Sequence, residues 1–481
     1  MERVSGLDAA FLALETATMH MHVAAVMVFE PPDPDGGIGP AALKFERLRR
    51  VLEERMHLVP PFRRRVVRVP FGLHHPVWLE DPEFDLNYHL RRAHLPAPGG
   101  PGELNAFVAD LVGRPLDPGR PLWEMHLVEG LDSGHVAVIP KLHHATIDGA
   151  SGAELLAAFL DVGPVPRSVP APGRAWRAEP VPTEAELLAG AASSLARQPE
   201  RALSAVRRTV GAVRELAERN RRLREEDESA PPPAPFSAPR TSLNGSISPH
   251  RRFAVGEVAL DDIRLVKEAF GGTMNDVVLA AVSGALRRLL RERGEEVDDP
   301  MVALVPISAR GPQDHDTLGN KVSAMLVTLA TSVADPVERL RAIVEGTSAA
   351  KEQAQLLPED LFQSWAQLAF PALSSRLARL SGNMRLFDRF PPLFNVVVSN
   401  IPGPDAPLWC AGSRLVALYP IGPIVEGVGL NVTVASYDGT MYFGVLGCRE
   451  LVPEVEHVTG HIADAMAELV KAAARDMGGR A

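Results

Sequence analysis

"KLHHATIDG", Lys141 to Gly149, sets two histidines side by side, then an aspartate four residues after the second, then a glycine. The run before it, "GHVAVIPKLHH" (Gly134 to His144), is apolar and rich in β-branched residues, and reads as a buried strand. The run after it, "SGAELLAAFLDV", begins with Ser151 and Glu154 at capping-box spacing, so a helix starts just past Gly149. The histidines therefore stand where a strand gives way to a loop and a helix, which is α/β order.

Three chemistries compete for this stretch. A zinc site needs three or four ligands and nothing nearby completes the set. Adjacent residues of an extended segment also point to opposite faces, so only one histidine enters a given pocket. A catalytic base fits better, because a neutral imidazole can take a proton from a hydroxyl as that hydroxyl attacks a carbonyl. Asp148 could orient an imidazole or pin the loop through an arginine, and Gly149 would permit a tight turn. A packed His-Asp pair without chemistry is the third reading. His74 and His75 form another pair that lacks the trailing Asp-Gly, and they read as structural.

Outward from the motif, residues 1 to about 163 alternate strand and helix. "MHVAAVMVFEPP" (Met21 to Pro32) is a strand stopped by prolines, and "AALKFERLRRVLEERMHLVP" (Ala41 to Pro60) has helical spacing. Residues 164–250 are proline-rich at both flanks around a charged helical stretch, which predicts a linker. A second α/β pattern fills 251–481. There "TMNDVVLAAVSGALRRLLRERG" predicts an amphipathic helix ending at Gly294. "GLNVTVASYDGTMYFGVLG" predicts two strands joined by a type I′ turn at Asp438-Gly439.

The chain has 481 residues, 46% hydrophobic and 23% charged, enough for two or three compact units. Its net charge of -10 argues against nucleic acid, which wants a clustered basic surface. The two cysteines, Cys410 and Cys448, form no CxxC pair, so a reducing cytoplasm is expected. The first twenty residues lack a basic-then-apolar leader, and no apolar run reaches the ~20 residues that span a bilayer. No P-loop, G-x-S-x-G, H-E-x-x-H or G-x-G-x-x-G is present. His457 and His461 have helical i, i+4 spacing, but with a glycine between them and no glutamate motif nearby they read as a surface helix.

"HHATIDG" resembles the H-H-x-x-x-D-G signature of the CoA-dependent acyltransferase superfamily, whose fold is that of chloramphenicol acetyltransferase and peptide-synthetase condensation domains. "LDAAFLALETATMHMHV", "DPEFDLNYHLR", "RPLWEMHLVEGL", "TMNDVVLAAVSGALRRLL", "VPISAR" with "LGN", "NVVVSNIPGP" and "YPIGPIVEGVGLNVTVASYDG" narrow the resemblance. They are similar to the bacterial wax ester synthase/acyl-CoA:diacylglycerol acyltransferase family, in order, from the first twenty residues to about 450.

The resemblance implies an α/β (α+β layered) fold. Two acetyltransferase-like halves, 1–163 and 251–481, would pack around a central channel, joined by the partly helical linker 164–250. It implies acyl transfer from acyl-CoA, a substrate rather than a cofactor, to diacylglycerol or a fatty alcohol, with no metal. His144 would be the general base and His143 its support. Asp148 would be structural, paired with an arginine of "PPFRRRVV", for which Arg63 is the candidate. The P-L-W motif falls on Pro121, Leu122 and Trp123, and reads as a packing corner ahead of a substrate contact. Asn275 would be either a helix cap or an amide near the tetrahedral intermediate. Gly149, Ser399 and Asn400 would contact substrate, with Ser399 to Pro404 shaping the tunnel mouth. Transfer to another hydroxyl or amine acceptor, and a lipid-binding homologue without catalysis, are the alternative readings.

The expected partners are acyl-CoA and a lipid alcohol, without nucleic acid, for a monomer or homodimer in the cytoplasm. Peripheral contact with the inner membrane face or lipid droplets is also expected. Nine arginines and three glutamates between Arg197 and Arg224 would make that stretch basic, with Leu203, Val206, Val210, Val213 and Ala217 on one helical stripe. Such a helix either packs on the domain surface or lies on anionic lipid.

Overall fold

The structure is a computed structural model that describes residues 2–31, 43–147, 152–173, 176, 178–195, 233, 236–296, 298–308, 322–356 and 391–478. The basic stretch 197–224 lies outside the described residues. Helices and sheets are layered: two six-stranded sheets carry the architecture, and a three-stranded sheet sits near the amino terminus.

The first sheet runs Trp409–Cys410, Ser413–Ile421, His22–Phe29, Val136–His143, Trp123–Glu129, Leu90–His94. The predicted strand after Met21 thus occupies its middle. Along it Ala24 and Val26 join one apolar cluster, and Met27 and Phe29 join another. A strand covered on both faces reads as a continuous apolar run, as this one does. The helix Phe45–Arg55 supplies Leu48 and Leu52 to one face. The helix Pro101–Val112 supplies Val108, Leu111 and Val112 to the other.

The second sheet runs Val322–Thr328, Val302–Ser308, Val396–Ile401, Leu430–Tyr437, Thr440–Cys448, Arg251–Ala259. Val396–Ile401 and Leu430–Tyr437 are parallel neighbours, and a parallel pair needs a crossover. The crossover here travels into the other sheet. Ser413–Ile421 pairs antiparallel with His22–Phe29, from Ile421 opposite Ala24 to Leu415 opposite Phe29, with a register shift between Leu415 and Ala417. The first sheet is therefore built from both ends of the chain. Asp161 and Trp409 exchange backbone hydrogen bonds of 2.8 Å beside it. The buried Arg55 guanidinium grips both Asp161 oxygens at 2.9 and 3.0 Å.

The hairpin at Asp438-Gly439 forms as predicted, with φ of 44° and 82°, both on the positive side that a type I′ turn requires. The helix after Thr273 also forms, over Met274–Glu292. It is not amphipathic in its setting, however. Residues 276 to 287 are all buried, because the second sheet's core and the helices Pro336–Leu356 and Val455–Gly478 enclose it. A helix covered on every side is a core helix, and the two arginines that suggested a polar face are absorbed differently. Arg287 donates to the Thr331 carbonyl at 2.6 Å, while Arg288 reaches Asp464 at 3.2 Å. Among the described residues no single helix is long and apolar enough to cross a membrane.

Candidate active site

The strand Val136–His143 ends at the first histidine of the motif, and a 3-10 turn, His144–Ile147, carries the second. Backbone pairing fixes the turn. His143 N–H donates to the Leu122 carbonyl at 2.9 Å, and His144 N–H to the Met21 carbonyl at 2.7 Å. Lys141, fully buried, spans to the end of the helix Pro101–Val112. Its ammonium donates to the carbonyls of Leu111 (2.9 Å) and Arg114 (2.6 Å) and to Glu124 (3.0 Å). A cation at a helix C-terminus meets carbonyls without intrahelical partners, so this lysine ties the strand beneath the motif to its supporting helix.

The two rings part company as strand geometry requires. His143 is buried: its Nδ1 accepts from the Ala145 N–H at 3.0 Å, and its Nε2 lies 3.3 Å from Glu15 Oε1. It braces the turn from below. Burial works against ionisation of Glu15, but His143, the Met21 amide and His20 outweigh it and hold the carboxyl below its usual range. His22, opposite His143 in register, lies 3.4 Å from the same Glu15 oxygen, and burial holds its pKa well below the ordinary value. His20 stacks on His22 with ring centroids 5.2 Å apart.

His144 turns the other way. Its ring lies 4.4 Å from that of Phe11, tilted 43°, on the helix Gly6–Leu14. It keeps a partly accessible edge, while its Nδ1 is enclosed without a hydrogen-bond partner among the described residues. Burial, and secondarily the neighbouring His143 ring, push it down to about 4. An imidazole so placed is neutral at physiological pH, the form that accepts a proton.

Asp148 and Gly149 lie outside the described residues, and so does the expected pairing of Asp148 with Arg63. Arg63 itself stands over the Trp176 ring at 5.6 Å. Trp123 is the packing corner that sequence reading favoured. Its indole stacks between Phe62 and His89, each at 4.6 Å, and its N–H donates to the Phe62 carbonyl at 2.8 Å. Leu122, through its carbonyl, holds His143, so the corner sets the height of the motif turn.

The remaining predicted site residues lie in the second half. Thr273, not Asn275, caps the helix Met274–Glu292: its hydroxyl accepts from Asp276 N–H (3.3 Å), and Asp276 accepts from Thr273 N–H (2.8 Å). That leaves Asn275 for another role, and Asn400 Nδ2 donates to its Oδ1 at 3.3 Å. Ser399 precedes Asn400 on the strand Val396–Ile401 and lies opposite Thr433. Sequence reading named Asn275 and Asn400 separately, and the fold joins them. Among the described residues no hydrogen bond links this pair to His143 or His144. Sequence reading passed over Glu15, Phe11 and the His20-x-His22 pair. The i, i+2 spacing of those histidines, which puts both rings on one strand face, was the available signal. The cysteines are free and buried, and burial pushes the Cys410 thiol up to about 12, which leaves it no thiolate for nucleophilic chemistry.

Two solved structures illustrate the architecture. The first condensation domain of a calcium-dependent antibiotic synthetase superposes with a TM-score of 0.55 at 16% identity, covering 98% of this chain and 96% of that one, a likeness of fold alone. The wax ester synthase/diacylglycerol acyltransferase of Marinobacter aquaeolei VT8 superposes with a TM-score of 0.66 at 27% identity, covering 98% of this chain and 100% of that one. Residues 4–278 match the model of the wax ester synthase/diacylglycerol acyltransferase catalytic domain, and 318–470 that of the same family's C-terminal domain. A Mycobacterium tuberculosis protein provisionally named a diacylglycerol O-acyltransferase is 38% identical over 475 residues, 98% of each chain. Another from that organism, with the same provisional name, is 35% identical over 473 residues, 98% of this chain and 90% of its own. The chain belongs to the wax ester synthase/diacylglycerol acyltransferase family, and it is an acyltransferase.

Proposed function

We propose that this protein moves a long-chain acyl group from acyl-CoA to the hydroxyl of a diacylglycerol or a fatty alcohol, with His144 as general base. The observation that carries the role of His144 is its neutral, desolvated ring at the end of the strand, with His143 locked beneath it. His144 takes the acceptor's hydroxyl proton, and the oxygen attacks the thioester carbonyl. The tetrahedral oxyanion then collapses and expels CoA thiolate, which the imidazolium reprotonates. A depressed pKa makes His144 a weaker base in the resting site. In a dry site the imidazolium and the growing oxyanion stabilise each other as they form, which offsets that cost. With its oxygen engaged by Asn400, Asn275 keeps its own amide N–H₂ to donate, and that amide is our candidate for one oxyanion donor.

Palmitoyl-CoA incubated with a diacylglycerol, hexadecanol, and a soluble short alcohol tests the reading, with CoA release and thin-layer chromatography as readouts. Triacylglycerol or wax ester formation that His144→Ala abolishes is the expected result. Acyl-CoA binding without CoA release would favour a lipid-binding homologue, and ester formation only with other acceptors would move the substrate class.

A further inference from the structure

The helix Met274–Glu292 ends where the helix Val455–Gly478 begins its second turn, and three donors meet there. His457 and His461, one turn apart, present rings on one face with centroids 6.2 Å apart. A glutamate arrives from the other helix. Glu292 Oε2 lies 3.3 Å from His457 Nδ1, and Oε1 lies 2.9 Å from His461 Nε2, with one ligand atom from each residue all within 4.8 Å of one another. We propose that Glu292, His457 and His461 form a binding site for a divalent transition ion of the zinc, cobalt or nickel type, which braces the two helices at the surface of the second half.

Bonds of ~2.0–2.1 Å at a tetrahedral angle put neighbouring ligand atoms about 3.3 Å apart; His457 stands at that distance from the carboxylate, and His461, at 2.9 Å, would have to move out slightly. Two nitrogens and one carboxylate suit borderline ions, whereas magnesium and calcium want oxygen throughout. The nearby guanidiniums are engaged elsewhere, Arg288 by Asp464 and Arg293 by Glu454 at 2.7 Å, so neither neutralises Glu292. His461 Nε2 is shielded from water and has no partner but this carboxylate among the described residues, and His457 is exposed, so an ion can enter from solvent. Glu292 stands seventeen residues past Asn275, about 26 Å along the helix axis. The site is therefore a clamp remote from Asn275, and its occupancy changes stability and leaves acyl transfer alone.

The test uses the full chain without a polyhistidine tag, stripped with EDTA and titrated with Co²⁺ at neutral pH. We expect visible d–d bands saturating at one equivalent, displaced by Zn²⁺, and a Zn²⁺-dependent rise in Tm that EDTA reverses. Glu292→Gln and the double variant His457→Ala/His461→Ala should weaken binding by at least the ~10–100-fold that loss of an outer partner alone costs, with CoA release from palmitoyl-CoA unchanged. No Co²⁺ bands in the unaltered protein, or bands and Tm rise that persist in the double variant, would overturn the proposal. Both readouts are independent of the acyl-transfer assay, so either reading can fail alone.

Discussion

His144→Ala removes the one ring of the pair that is not tied into the turn, and should cost ~10²–10⁴ in turnover while leaving Tm nearly unchanged, since its Nδ1 bonds to nothing described. His143→Ala reverses the pattern. It deletes the acceptor for Ala145 N–H and one of the partners of Glu15, so Tm should fall and turnover should fall less than in His144→Ala. Paired thermal melts and CoA-release rates separate the two, and equal losses of rate would exchange the roles. The depressed pKa of His144 places the acid limb of kcat/KM near 4, well under the ~6.5 of an ordinary imidazole, because the base stays neutral further into acid. A limb near 6.5 in the pH profile would assign the base to a better-solvated group. Stability moves in the same sense. His20, His22 and His144 all titrate lower in the folded protein than in the unfolded chain, so the folded state binds fewer protons between those values. Their contribution is complete above ~6.5 and is lost as pH falls below it, for His144 down to about 4, which Tm measured across that window should show. The parting of the two rings was legible in "HHATIDG" because strand alternation separates them without knowledge of the fold, whereas the choice of His144 as the proposed base rested on the resemblance. Glu15 was not legible, since its value depends on the 127 residues between it and His143 folding back.

Helix ends reveal how far local rules carry. Thr273 and Asp276 form a capping box that sequence reading bypassed by weighing Asn275 for the cap, and the two assignments predict different phenotypes. Thr273→Ala should lower stability by about 1 kcal/mol, the usual worth of a cap, with little effect on turnover. Asn275→Ala should do the opposite, losing rate because Asn400 no longer has an amide to orient. Chemical denaturation and initial rates on both variants decide the matter, and a Tm loss confined to Asn275→Ala would restore it as the cap. The Asp438-Gly439 hairpin was legible because its turn chemistry is complete in two residues. The enclosure of Met274–Glu292 was not, because arginines at 287 and 288 look solvent-facing in one dimension and find carbonyl or carboxylate partners only in three.

At the scale of the whole molecule, a cut after residue 250 leaves the first sheet incomplete, since Ser413–Ile421 belongs to it. No local pattern reveals that exchange: an apolar strand reads the same whichever sheet takes it, and its partner lies almost 400 residues earlier. Two consequences are measurable. The Arg55–Asp161 pair, buried beside the incoming strand, has no water to replace either partner, so Asp161→Ala should destabilise the protein by about 3–5 kcal/mol, read as a shift in denaturant midpoint. A fragment of residues 1–250 keeps both motif histidines but exposes His22–Phe29 as a long, apolar, unpaired edge, with Phe29, Leu48 and Leu52 of its core no longer covered by Leu415 and Leu418. Such an edge templates pairing between chains. The fragment should elute as aggregate in size-exclusion chromatography and bind a hydrophobic dye, whereas the full chain should do neither. A monomeric fragment with sharp thermal unfolding would mean that the first sheet closes without the strand from the second half.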